Sequence, residues 1–80
     1  MKFDFIVLPF RGLYLRRSPY IQPDNIVGSL KRGQHFYSIR LIRNPDGLTW
    51  AEDKDGYFIV IANGRNPYVY QNGKPYLPLG

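Results

Sequence analysis

Apolar and polar positions alternate along this chain in short runs. Phe3, Phe5 and Val7 alternate with Lys2, Asp4 and Ile6, the period of two that sends successive side chains to opposite faces of a strand. The same pattern predicts strands over residues 2–8, 13–16, 26–30, 34–43, 48–52, 57–61 and 68–70. Gly and Pro recur too closely for more than a turn or two of helix. Asn44-Pro45-Asp46-Gly47 is a turn, because Pro presets φ and Asp-Gly accepts a positive φ. Asp53-Lys54-Asp55-Gly56 and Asn63-Gly64 read as hairpin tips, and Asn72-Gly73 as a last turn before a tail over residues 74–80. Residues 17–25, with Pro19 and Pro23, form one irregular loop.

These elements predict an all-β protein, one domain over residues 1–80, folded as a small Src-homology-3-like barrel of five to six short antiparallel strands. The five-stranded oligonucleotide-binding barrel is the rival, but it needs a longer chain and a helix between its third and fourth strands. A chain of this mass buries roughly 60–65% of its unfolded surface, enough for one modest core. The expected core is Phe5, Val7, Leu13, Leu15, Ile26, Val27, Leu30, Phe36, Ile39, Leu41, Trp50, Phe58, Val60 and Val69.

Charge adds less than its size suggests. Eleven Lys or Arg against six Asp or Glu give a net charge of +5. That suits nucleic acid, an anionic cell surface or an acidic partner, and equally suits solubility alone. The basic residues are scattered, with no run of five or six. Arg40 and Arg43, near Tyr37 and Lys31-Arg32, are candidates for a nucleic-acid face, but their spacing of three points them to opposite sides of a regular strand. The absence of Cys excludes disulfides and thiolate zinc sites. No apolar run reaches the roughly 20 residues of a membrane span. The first nine residues read as a strand rather than a signal peptide, which predicts a chain made in the cytoplasm or a piece of something longer.

The parts of an enzyme are missing from the sequence. Ser18, Ser29 and Ser38 have only His35 as an imidazole base, and His35 opens a strand where a surface side chain is ordinary. Glu52, Asp53 and Asp55 surround Lys54 at a hairpin tip. The expectation is a non-catalytic protein with no cofactor and no metal.

Binding is where the composition speaks. Seven Tyr beside five Phe and one Trp exceed what one small core uses. Tyrosine buries a flat apolar face while its hydroxyl stays hydrogen-bonded, which suits interfaces. Tyr14 alternates with Leu13 and Leu15 and should face outward; Tyr20 lies in the loop, Tyr57 follows a hairpin tip, and Tyr68 and Tyr70 share one face of the last strand. Trp50 fits a core anchor or a groove wall. Arg16 and Arg17 supply charge-assisted hydrogen bonds for a carboxylate or phosphate. The predicted ligand-binding set is Tyr14, Arg16, Arg17, Tyr20, Trp50, Tyr57, Tyr68 and Tyr70, for a short peptide or a glycan.

The order of several motifs adds a family resemblance. Gly12-Leu13-Tyr14-Leu15-Arg16-Arg17-Ser18-Pro19 is followed by Ile26-Val27-Gly28-Ser29-Leu30-Lys31-Arg32-Gly33, then by Thr49-Trp50-Ala51-Glu52 and Gly56-Tyr57-Phe58-Ile59. Over residues 12–61 this resembles the bacterial SH3-like (SH3b) domain. Arg16 would pin the long loop through backbone carbonyls, and Arg17-Ser18-Pro19, where the family often has Ser-Gly-Pro, should stiffen it. The resemblance implies a module that holds a peptidoglycan hydrolase or phage endolysin on the bacterial cell wall, on peptide or anionic polymer. It also implies a catalytic partner chain or extra copies of the module as partners. A nucleic-acid-binding barrel and a protein–protein or oligomerisation module are the alternatives.

Overall fold

A computed structural model describes residues 3–76. Its strands are β1 (Phe3–Val7), β2 (Leu13–Arg16), β3 (Ile26–Leu30), β4 (His35–Arg43), β5 (Leu48–Asp53), β6 (Phe58–Asn63), β7 (Asn66–Pro67), β8 (Val69–Gln71) and β9 (Lys74–Pro75). One turn of 3-10 helix, Pro23–Asn25, ends the long loop. The fold is therefore all-β and antiparallel, with more strands than the five to six expected. The two-residue strands β7 and β9 account for part of the excess. Lys2, placed in the first strand by its alternation, and residues 77–80 of the expected tail lie outside the described residues. No helix among the described residues is long and apolar enough to cross a membrane.

The sheet runs β3-β2-β6-β5-β4-β1-β8-β9, with β7 paired to β6. It coils without a ladder joining its two ends among the described residues. The coiling brings Leu30 of β3 and Val69 of β8 into one core with Phe5, Val7, Phe36, Ala51, Ile59 and Ile61. Phe5 is its centre, fully buried, with the Phe36 ring 5.4 Å away and the Tyr76 ring edge-on at 5.6 Å. Burying a side chain of that size contributes about 1.5–3 kcal/mol. Tyr76 also donates its N–H to the Val69 carbonyl at 2.9 Å, so the start of the expected tail belongs to the sheet.

Bulges decide which residues face this core. The β4–β5 register shifts between Ser38 and Arg40, and the β5–β6 register shifts between Thr49 and Trp50. At the first, Ile39 is skipped and stands 48% exposed, against its expected place in the core. Ser38 is buried there: its Oγ lies 2.8 Å from the Arg40 carbonyl and 3.0 Å from the Glu52 carbonyl, and accepts the Arg40 N–H. A small hydroxyl thus satisfies backbone groups that the bulge takes out of the ladder.

Beyond the second bulge, Ala51 pairs with Ile59, and Trp50 with Val60. Directly paired residues share a face. Ile59 and Ile61 consequently fill the core, while Phe58 and Val60, expected inside, are half-buried on the other face. Ile26 and Val27 were also expected inside, but they lie on the outermost strand and remain exposed.

Candidate functional site

Trp50 is fully buried, which settles it as an anchor and removes it from any groove wall. It packs on the face away from the main core cluster, between its paired neighbours Ile42 and Val60. The long loop crosses this face, and its Ile21 lines a hollow together with Val60. Trp50 Nε1 is buried with no hydrogen-bond partner among the described residues.

Arg16 holds that loop in place. Its Nη1 donates to the Gln22 carbonyl at 2.7 Å and to Asn25 Oδ1 at 2.8 Å. Asn25 Nδ2 in turn donates to the Tyr20 carbonyl at 2.8 Å and to Ser18 Oγ at 3.0 Å. Asn44 Nδ2 reaches across from the end of β4 to the Pro19 carbonyl at 2.9 Å. Two buried polar side chains, Arg16 and Asn25, therefore replace the ladder that the irregular segment lacks. The expected pin is present. Its consequence corrects the expected role of Arg16, which is 8% exposed and spent on the loop rather than offered to a ligand.

Arg16 also supports Tyr14. The two lie two residues apart on β2, on one face, and the guanidinium carbon sits 5.5 Å from the centre of the Tyr14 ring. The ring itself is 56% exposed, outward as alternation predicts. It stands as a ridge between two hollows. One, about 130 Å³, is lined by Gly12, Leu13, Tyr14, Arg16, Ile21 and Val60. The other, about 190 Å³, is lined by Arg11, Gly12, Leu13, Tyr14 and Ser29. Gly12 makes the close approach possible: at φ +79°, a Cβ there would run into the Leu30 carbonyl oxygen.

Arg11, exposed, lines the second hollow beside this ridge, and Phe10, Arg17 and Tyr20 are exposed on the segments that flank β2 in the chain. Tyr14, Arg17 and Tyr20 of the predicted set thus come from one strand and the loop that follows it. Arg11 and Ile21 line the hollows beside Tyr14 and were not anticipated. An apolar Ile amid the polar and Pro residues of a loop was the available signal. Tyr57 is exposed next to Phe58, the residue that pairs with Arg16, so it lies toward the far end of β2. Tyr68 and Tyr70 are elsewhere: β6, β5, β4 and β1 separate β2 from β8 in the sheet order. Tyr68 lies just before β8 and Tyr70 within it, on either side of the buried Val69, with Tyr68 half-buried and Tyr70 exposed.

The other candidate chemistry is occupied or scattered. His35 Nδ1 lies 3.3 Å from Asp4 Oδ1 at the surface, and the Ser38 hydroxyl is committed to the bulge. Asp53 Oδ1 accepts the N–H groups of Asp55 and Tyr57, both at 2.9 Å, which closes the hairpin tip as its sequence predicts. No group of three His, Cys, Asp or Glu among the described residues is placed to hold a metal ion. Arg40 donates to Glu52 at 2.8 Å, and the bulge precedes both Arg40 and Arg43, so they remain on opposite faces. A further hollow, about 330 Å³, opens where β4 parts from the β5–β6 hairpin; Leu15, Leu30 and Phe36 are among its lining residues.

Fold and surface together define a small antiparallel all-β protein with an exposed, cation-flanked tyrosine ridge. Comparison with protein-family models, with curated proteins and with solved structures finds no match.

Proposed function

We propose that this chain is a non-catalytic binding module of the bacterial SH3-like type, which holds a peptidoglycan hydrolase or endolysin on cell-wall peptide or anionic polymer. The observation that carries the reading is the Tyr14 ridge: an exposed ring, with a buried arginine against it, flanked by two hollows, one of them lined by the cation Arg11. A rigid ring offers contact area at low entropic cost, and the neighbouring guanidinium groups suit carboxylates or phosphates. The motif order over residues 12–61 supports the same reading.

The experiment is co-sedimentation of the chain with purified Gram-positive cell walls, beside a salt titration with single-stranded and duplex DNA. Wall retention at physiological salt, lowered about tenfold or more by Tyr14→Ala, is the expected result. No wall retention together with DNA affinity that falls steeply with salt would replace this reading by nucleic-acid binding.

A further inference from the structure

Four steps in this chain join Asp or Asn to Gly: Asp46-Gly47, Asp55-Gly56, Asn63-Gly64 and Asn72-Gly73. With no Cβ on the glycine, its amide nitrogen is free to swing onto the side-chain carbonyl carbon of the residue before it. The fold engages three of these four nitrogens. Gly47 N–H donates to the Asn44 carbonyl at 3.1 Å, Gly56 N–H to the Asp53 carbonyl at 3.1 Å and Gly64 N–H to the Gly47 carbonyl at 2.8 Å. Asn63 is held further, because it ends β6 and pairs with Leu48 on one side and Asn66 on the other. Gly73 N–H donates to no backbone carbonyl among the described residues. Asn72 and Gly73 are both exposed and form the two-residue tip of the β8–β9 hairpin, at φ 54° and 77°. The other asparagines lack the partner: Asn25 precedes a β-branched Ile, and Asn44 and Asn66 precede Pro, which has no N–H.

We propose that Asn72-Gly73 is a self-modification site, where the chain converts its own asparagine to aspartate and isoaspartate with water as the co-reactant. The Gly73 nitrogen attacks Asn72 Cγ and gives up its proton. The new N–C bond closes a five-membered imide, and the side-chain nitrogen leaves with that proton as ammonia. Water then opens the ring at one of its two carbonyl carbons. Opening at Cγ leaves aspartate on the ordinary backbone; opening at the main-chain carbon leaves isoaspartate, whose backbone runs through Cγ. Ring closure takes the tip out of its left-handed turn, and little resists that, since β9 is two exposed residues at the end of the sheet. Both products carry a carboxylate at neutral pH, which lowers the net charge by one. Isoaspartate does more. It adds a backbone carbon to a tip whose length fixes the register, so the Gln71–Lys74 and Tyr70–Pro75 pairs are lost. Next in the chain is Tyr76, whose N–H donates to the Val69 carbonyl at 2.9 Å and whose ring packs 5.6 Å from Phe5. Modification at the tip therefore loosens one side of the main core.

Peptide mapping by mass spectrometry tests this on the intact chain aged at mildly alkaline pH, with and without urea, using electron-transfer fragmentation to tell isoaspartate from aspartate. In the folded chain Asn72 should convert about tenfold or more faster than Asn63, whose step the fold holds shut. In urea the two should convert at similar rates, because both are then plain Asn-Gly steps. Equal rates in the folded chain, or no conversion at Asn72, overturn the inference. Asn72→Gly removes the amide and still accepts the positive φ, so its hairpin stays intact. The native chain should melt at a lower temperature after ageing, and the aged Asn72→Gly chain should melt as it did when fresh. A native chain that carries isoaspartate at this position yet melts unchanged overturns the loosening of the core.

Discussion

Arg16 shows how one residue organises the surface around it. A buried guanidinium costs desolvation, and here that cost is met by two hydrogen bonds to the loop and by the Tyr14 ring. Arg16→Ala should therefore destabilise the chain by about 1.5–3 kcal/mol, measured by urea unfolding. It should also expose Trp50, because the loop that Arg16 holds crosses that residue's face. In the native chain the single Trp should fluoresce as a buried indole, resistant to iodide quenching; in Arg16→Ala quenching should rise. Unchanged quenching would detach the loop from Trp50. Gly12→Ala makes a separate case: its methyl group meets a backbone carbonyl that no rotamer can avoid, and the positive φ adds strain. A loss above about 2 kcal/mol is expected by the same unfolding measurement.

At the scale of elements, turn chemistry made the strands legible and bulges hid their faces. Asn44-Pro45-Asp46-Gly47 and Asp53-Lys54-Asp55-Gly56 end where β5 and β6 begin or nearly so, because Asp-Gly and Pro restrict the backbone locally. The face of Phe58 and Val60 was not legible. It depends on the register between β5 and β6, where Ile61 is left unpaired opposite the Thr49/Trp50 step, which no local pattern records. Strand β9 was missed because a Pro in a two-residue strand carries no alternation; Asn72, at φ 54°, supplies its hairpin turn. In the candidate site, Tyr14 and Tyr20 could be placed by alternation and loop chemistry. Arg11 and Ile21 join them only through tertiary packing.

The segment after β9 carries a pH signature. Burial raises the Tyr76 hydroxyl above the ordinary tyrosine value of 10.0, and the nearby positive charge of Arg43 opposes that shift. The folded chain thus holds this proton at a pH where the unfolded chain has lost it. The associated stability is fully present below the ordinary value and is lost as pH rises through the raised one. Tyr76→Phe should flatten that loss in thermal melts taken across the alkaline range; an identical decline in both proteins would count against it.

For the whole molecule, charge is a weaker guide than the distribution of aromatics. The +5 is spread over the surface, and Arg40, one of its more suggestive contributors, is paired with Glu52. The tyrosine excess divides by place rather than forming one stripe: the ridge at Tyr14, Tyr20 on the loop after it, and separate exposed rings at Tyr37, Tyr57 and Tyr70. The proposed function requires the ridge to be the surface that meets the wall. Its most direct measurement is amide chemical-shift mapping of the labelled chain, titrated with soluble cell-wall fragments. Saturable shifts centred on Arg11, Gly12, Tyr14 and Ile21, abolished in Tyr14→Ala, are expected. Shifts confined to the β8 side around Tyr68 and Tyr70, or no shifts at all, would contradict it.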